Sequence, residues 1–203
     1  MIIEKVNKKS IKEAIDILVH GGIVVFPTET SYGIGCDATN KKVIEKIFKI
    51  KQRSKLKNLP VICGTKKMVG DFFQVSKKEQ ELAKKYWPGP LSIVLSLRGL
   101  ADLVGIRGNP MDNVPVRVSS NKVAQLLSKG LKKPITATSA NISGEEPFYN
   151  AQDIFNSFKN KKYKPDLILD AGKIFKKKPS TIVELIDDKI FVIRQGDLNI
   201  GGI

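Results

Sequence analysis

Ile135-Thr136-Ala137-Thr138-Ser139-Ala140-Asn141-Ile142-Ser143-Gly144 reads as a strand that runs out into a loop of small hydroxyl and amide side chains. Four of these ten residues carry a hydroxyl, and Asn141 adds an amide. A buried strand has little use for so many hydrogen-bonding groups, because each must find a partner or cost free energy. A strand end that holds a polar ligand does have a use for them.

Working outward, other strand ends look similar. Residues 22–26 form a short apolar, β-branched run that Pro27 ends, and a polar, glycine-bearing loop follows, Thr28-Glu29-Thr30-Ser31-Tyr32-Gly33-Ile34-Gly35. Further strands are predicted over residues 59–63, 91–97, 114–118, 134–138, 166–170, 181–186 and 189–194, the last two joined as a hairpin across Asp187-Asp188. Helices alternate with them. Ser10-Ile11-Lys12-Glu13 matches a capping box, with Ile11, Ala14, Ile15 and Leu18 at helical spacing and Gly21-Gly22 closing the helix. Residues 41–50 carry Val43, Ile44, Ile47, Phe48 and Ile50 at the same spacing. Ser76-Lys77-Lys78-Glu79 is a second capping box, opening a helix that ends at Trp87-Pro88-Gly89-Pro90, and shorter helices are expected over 122–128 and 152–158. Without a strict βαβ alternation, an internal repeat or a Pro/Ser linker, this order predicts one α/β domain spanning residues 1–203, built around a mixed sheet. If the polar ends at residues 28–35, 139–144 and 194–196 converge, they outline one cleft.

The totals agree. At 203 residues one domain is favoured over two and can bury a sizeable core. No apolar run approaches the ~18 residues of a membrane span, and the N-terminus lacks the order of a signal peptide, so a cytoplasmic protein without membrane contact is expected. Cys36 and Cys63 are too few and too far apart for a zinc site and read as buried thiols. His20, the only histidine, precedes Gly21-Gly22 at a helix end, so neither a serine or cysteine triad nor a histidine metal site is supported. The net charge of +15 fits either a lysine-rich solvated surface or a polyanionic partner such as RNA or a nucleotide.

Three arrangements could carry chemistry. Lys51-Gln52-Arg53-Ser54-Lys55 puts three cations within five residues, enough to neutralise a phosphate chain, although a basic helix end also suits the dipole. Arg117 lies within Val114-Pro115-Val116-Arg117-Val118; pointing inward it needs an anionic partner such as a ligand carboxylate, and pointing outward it needs none. Arg194, before Gly196, has the same two readings. Thr28-Glu29-Thr30 and Ser180-Thr181 are hydroxyl clusters that could equally be turn bonds. Gly33-x-Gly35 is too short for a dinucleotide fingerprint. No nucleophile stands beside a base, so such a site would work by positioning and charge stabilisation.

Pro27-Thr28-Glu29-Thr30-Ser31-Tyr32-Gly33-Ile34-Gly35, Lys51-x-Arg53, Ser139-Ala140-Asn141-x-Ser143-Gly144, Pro179-Ser180-Thr181 and Arg194-x-Gly196, in this order, resemble the YrdC/Sua5 family of threonylcarbamoyl-AMP synthases over about residues 21–196. The resemblance implies a twisted, open α/β sheet with a basic concave cleft. Because the chain stops soon after Arg194, the short, single-domain type is expected. It implies that L-threonine, bicarbonate and ATP give threonylcarbamoyl-AMP and pyrophosphate, a nucleotidyl transfer. A downstream threonylcarbamoyl transferase complex then uses the product to make threonylcarbamoyladenosine at tRNA position 37. Carried over residue by residue, Thr28, Arg117 and Ser180 would contact threonine. Lys51, Arg53 and Lys55 would hold ATP phosphates, with Lys51 and Arg53 stabilising charge in the transfer step. Ser139, Asn141, Arg194 and, less directly, Asn113 would lie on the ATP side. Mg²⁺ is expected to travel mainly on the phosphates.

The chain departs from the family pattern in places. Gln52 and Ser54 replace a glycine and a proline, Asn58-Leu59-Pro60 reorders a usual Asn-Pro-Leu, Asn113 replaces a threonine, and Ser119-Ser120-Asn121 stands where proline and then histidine are common. Two other readings compete. A YrdC-like protein binding double-stranded RNA or tRNA without synthase activity would not need the threonine pocket. A carbamoyl-adenylate former of the hydrogenase-maturation type would need more length and more cysteines.

Overall fold

Val24-Val25-Phe26-Pro27 and Leu167-Ile168-Leu169-Asp170 are apolar along nearly their whole length because both faces of these strands are covered. Val24, Phe26, Leu167 and Leu169 pack with Ala14, Leu18, Ala124 and Leu127 on one side, whereas Val25 and Ile168 pack with Ile44, Ile47, Ile154 and Phe158 on the other. The period of two along each strand thus sorts consecutive side chains into two core layers.

A computed structural model of the chain describes residues 1–54, 58–98 and 113–200. Among these the strands are β1 (Ile2–Lys5), β2 (Val24–Pro27), β3 (Tyr32–Gly35), β4 (Val61–Ile62), β5 (Leu91–Ser96), β6 (Asn113–Arg117), β7 (Ile135–Thr136), β8 (Thr138–Ser139), β9 (Leu167–Asp170), β10 (Thr181–Ile186) and β11 (Lys189–Arg194). The helices are α1 (Lys8–Val19), α2 (Lys41–Lys51), α3 (Lys66–Phe72), α4 (Lys77–Tyr86), α5 (Lys122–Leu131) and α6 (Ala151–Phe158). No helix of the described residues is long and apolar enough to cross a membrane.

The fold is α/β with mixed pairing, as expected, but the strands form two sheets where the sequence suggested one. A five-stranded sheet runs β1-β9-β2-β3-β8, and a six-stranded sheet runs β11-β10-β5-β6-β4-β7. Residues 134–138, expected as a single strand, divide between them. Ile135 and Thr136 pair with β4 in the six-stranded sheet, and Thr138 and Ser139 pair with β3 in the five-stranded one. Ala137 is the crossing point, its N–H donating to the Pro60 carbonyl at 2.8 Å. One five-residue stretch therefore belongs to both layers.

Other expectations are corrected locally. Residues 28–35 are not one loop: Thr28–Ser31 is a tight turn, and Tyr32–Gly35 returns as β3, antiparallel to β2. Ser10 is not the first cap of α1. Asn7 caps it, with Ser10 as the third residue of the box, because Asn7 Oδ1 accepts from the Ser10 N–H at 3.0 Å while Ser10 Oγ accepts from the Asn7 N–H at 3.0 Å. The Ser76–Glu79 box, the end of α1 at His20 with Gly21 at φ +77°, and the Asp187-Asp188 hairpin are as expected.

Candidate functional site

Four elements end around one cavity of about 700 Å³. The β2–β3 turn supplies Thr28, Thr30 and Ser31, the start of the 139–145 loop supplies Ser139, and the ends of β6 and β11 supply Arg117 and Arg194. Arg53, beyond α2, and Ser180, before β10, complete the wall, and Lys176, Lys177 and Lys178 with Glu146 lie at its margin. The sequence therefore brought Thr28, Arg53, Arg117, Ser139, Ser180 and Arg194 to one place. A second cavity of about 640 Å³ lies between α3 and α4, and none of those residues lines it.

The hydroxyls in the wall are partly engaged with the protein. Thr28 Oγ1 donates to the Ser31 carbonyl at 2.7 Å and accepts from the N–H groups of Thr30 and Ser31, so it holds the turn in shape. Ser180 Oγ lies 3.1 Å from Ser92 Oγ. It also accepts from Arg194 at 3.0 Å, while the same guanidinium donates twice to the Ser180 carbonyl at 2.8 and 3.0 Å. The Arg194 side chain is open to solvent along part of its length, yet this fork fixes its head group against the wall.

Arg194 feels the like charges of two other guanidiniums. Burial lowers the proton affinity of Arg194, and the nearby charges of Arg117 and Arg53 lower it further. Burial also lowers that of Arg53. Arg53 donates to the Asn58 carbonyl at 3.1 Å, but its buried Nε has no hydrogen-bond partner among the described residues. An anion in the cavity would relieve both conditions at once.

Arg117 points inward, which settles the two readings of it. Its Nε stands 3.2 Å from Glu29 Oε1, with both side chains about nine-tenths buried. The two atoms form an ion pair whose alignment falls outside hydrogen-bond geometry. Glu29 was not singled out from the sequence; its only signal was an acid between two hydroxyl residues in a turn.

Three other residues are placed differently from the expectation. Lys51 does not line the cavity. Its side chain is buried, and its ammonium donates to the carbonyls of Ser139 and Asn141 and, at 3.4 Å, to Asn141 Oδ1. Three acceptors match the three donors of an ammonium, so the group braces the 139–145 loop. Burial, then repulsion by Arg53, pushes its pKa down from 10.5 to about 7, with Glu145 opposing. Asn141 is also turned away from the cavity, its amide donating to the Glu145 carbonyl. Asn113 bridges strands instead: it accepts from Ser96 Oγ at 2.8 Å and donates to Glu184 at 3.2 Å. Lys55 lies outside the described residues.

Both cysteines are buried and free; burial pushes the Cys36 thiol up to about 12 and the Cys63 thiol up as well.

Comparison with known proteins covers most of the chain. The Sua5/YciO/YrdC family model, described as "Telomere recombination", matches residues 16–196. A Methanocaldococcus jannaschii protein named "Putative threonylcarbamoyl-AMP synthase" is 33% identical over 199 residues, 96% of this chain and 91% of that protein. The crystal structure of P. abyssi Sua5 complexed with L-threonine superposes with a TM-score of 0.87 at 29% identity, over 97% of this chain. The chain spans 57% of that Sua5 chain. E. coli YciO superposes with a TM-score of 0.83 at 26% identity, covering 96% of this chain and 93% of its own.

Proposed function

The chain belongs to the Sua5/YciO/YrdC family, and we propose that it is a threonylcarbamoyl-AMP synthase working as a single domain. It would join L-threonine, bicarbonate and ATP into threonylcarbamoyl-AMP and pyrophosphate, for threonylcarbamoyladenosine at tRNA position 37. One observation carries this reading: Arg53, Arg117 and Arg194 converge with small hydroxyls on a single cavity. Three clustered cations suit a substrate set bearing phosphates and a carboxylate, and the superposed Sua5 structure contains L-threonine.

In this reading the threonine amine attacks the bicarbonate carbon and water is lost, leaving an N-carboxy-threonine. A carbamate oxygen then attacks the α-phosphorus, the bond from that phosphorus to the bridging oxygen breaks, and pyrophosphate leaves with the electron pair. Arg53 and Arg194 would offset the charge on the phosphates, and Arg117 would hold the threonine carboxylate between Thr28 and Ser180. Lys51 enters as the brace of the loop that presents Ser139, with Asn141 as part of the same brace. The protein supplies position and charge, with no covalent intermediate on a side chain. The cavity wall is rich in cations, a donor set that suits phosphate oxygens and not a bare metal ion, so Mg²⁺ would arrive carried on the phosphates. ATP is a substrate here, a downstream transferase receives the product, and the cytoplasm is the expected setting.

An RNA-binding role without synthesis is not favoured, since it gives no use to a buried Arg117–Glu29 pair facing a hydroxyl-lined cavity. Whether the charge of +15 also engages tRNA directly is a separate part of the proposal. The test is pyrophosphate release from ATP, with threonine and bicarbonate omitted in turn. Release should need both; release indifferent to threonine would refute the assignment.

A further inference from the structure

Arg117 and Glu29 come from different layers of the protein. Arg117 ends β6 of the six-stranded sheet, and Glu29 sits in the turn between β2 and β3 of the five-stranded sheet. Arg117 lines the cavity, and Glu29 stands behind it. A guanidinium is rigid and planar, so a carboxylate held against its Nε edge as a charge partner biases the direction in which the other edge faces.

Glu29 is itself held. Its second oxygen, Oε2, accepts from Ser119 Oγ. The Ser119 hydroxyl has one proton, which goes to Glu29, and it accepts the Asn121 N–H at 3.1 Å. The Ser119 carbonyl in turn accepts from Gln125 Nε2 at 2.7 Å. Asn121 caps α5 and Gln125 lies in its first turns, so the hydroxyl is locked to the beginning of a helix. Ser119 itself is fully buried. The result is a directed series of contacts, from the start of α5 through Ser119 to Glu29 and then to Arg117.

We propose that Ser119 and Glu29 are positioning residues for the cavity-facing edge of Arg117, and that this series sets how strongly the site prefers an amino acid with a free carboxylate. The inference rests on the reading of Arg117 as the residue that meets the substrate carboxylate. If Ser119 loses its hydroxyl, Glu29 Oε2 loses its donor, and the carboxylate can swing away from the Arg117 Nε edge. The guanidinium then faces the cavity in several directions, and a bidentate grip on a ligand carboxylate weakens. Phosphate contacts made by Arg53 and Arg194 are untouched by this change.

The experiment measures pyrophosphate release by wild type, Ser119→Ala, Glu29→Gln and Arg117→Ala, with threonine and with threoninamide, at saturating bicarbonate. Losing one hydrogen bond to a charged group corresponds to a change of about tenfold. Ser119→Ala should therefore raise KM for threonine about tenfold and leave KM for ATP within about twofold. Its preference for threonine over threoninamide should fall by a similar factor, because the amide never gained from the grip. A merely structural effect would move both amino acids and ATP together. Glu29→Gln should act in the same direction and more strongly; should it fail to fold, Ser119→Ala decides alone. A folded Ser119→Ala protein with unchanged threonine KM and unchanged preference overturns the proposal. A wild-type reaction indifferent to threonine, or an Arg117→Ala protein with unaltered threonine KM, overturns the underlying reading and the inference with it.

Discussion

The Lys51 ammonium lies 2.8 Å from the Asn141 carbonyl oxygen, inside the protein and away from the cavity that Arg53 lines two residues later. Burial holds its pKa near 7, against 10.5 in an ordinary setting. The unfolded chain keeps that proton up to the ordinary value. From about pH 7 to about pH 10 the unfolded state therefore binds more protons, and the stability due to this group rises with pH; below that window the burial penalty is carried in full. Lys51→Met should lose this upward slope. Denaturant melts of both proteins across the window check it, and parallel slopes would count against a lowered pKa.

Arg117→Ala leaves Glu29 buried without its charge partner. Breaking a buried pair in this way costs about 3–5 kcal/mol, so the variant should melt well below the wild type. If it remains folded at low temperature, its threonine KM should rise by roughly thirtyfold or more, with ATP affected much less. An equal rise for both substrates would place Arg117 on the nucleotide instead. The double variant Arg117→Ala with Glu29→Ala should recover part of the lost stability and none of the threonine affinity.

Arg194→Lys preserves the charge and removes the fork that grips Ser180. An ammonium cannot reproduce two bonds converging on one carbonyl and a third to the hydroxyl. Since the side chain is partly open to solvent, the stability loss should be small, about 1 kcal/mol. The expected signature is kinetic: KM for ATP raised about tenfold with near-normal melting. Titration of ATP by calorimetry would show it directly.

Gly196→Ala tests how tightly the Ser180 segment is held from behind. A Cβ at this position would fall 2.0 Å from the Pro179 carbonyl oxygen and 2.5 Å from the Thr181 nitrogen. Both are backbone atoms, so either the segment or the end of β11 must move. Overpacking of this kind costs about 1–3 kcal/mol. Because the displaced segment carries Ser180, substrate affinity should fall along with the melting temperature. A variant that melts lower but binds normally would show that Ser180 tolerates the shift.

How far the sequence could be read depended on the range of the interactions. α2 and the capping box at Ser76 were visible because helical spacing and caps are local signals. The Asp187-Asp188 hairpin was visible for the same reason, since its turn and both strands are contiguous. β1 went unseen: four residues long, it gains its place by pairing in parallel with β9, more than 150 residues away. α3 is only seven residues long with Gly70 inside it, too short for a clear period. At the site, the arginines, Thr28, Ser139 and Ser180 were legible as residue types suited to anions. Lys51 was legible as a cation for phosphates but not as a brace, because only the fold shows that carbonyls of a distant loop surround it. Glu29 was missed because its importance lies in Arg117, which is remote in sequence.

The crossing at Ala137 has a consequence for how this protein fails. Two layers joined by separate connectors could slide or part while each kept its shape. Here the same short stretch is a strand in both, and it delivers Ser139 to the cavity at the moment it leaves the second sheet. Parting the layers means breaking the pairing that places Ser139. Partial opening with an intact site is therefore unavailable, and catalytic competence and tertiary structure should be lost in one step.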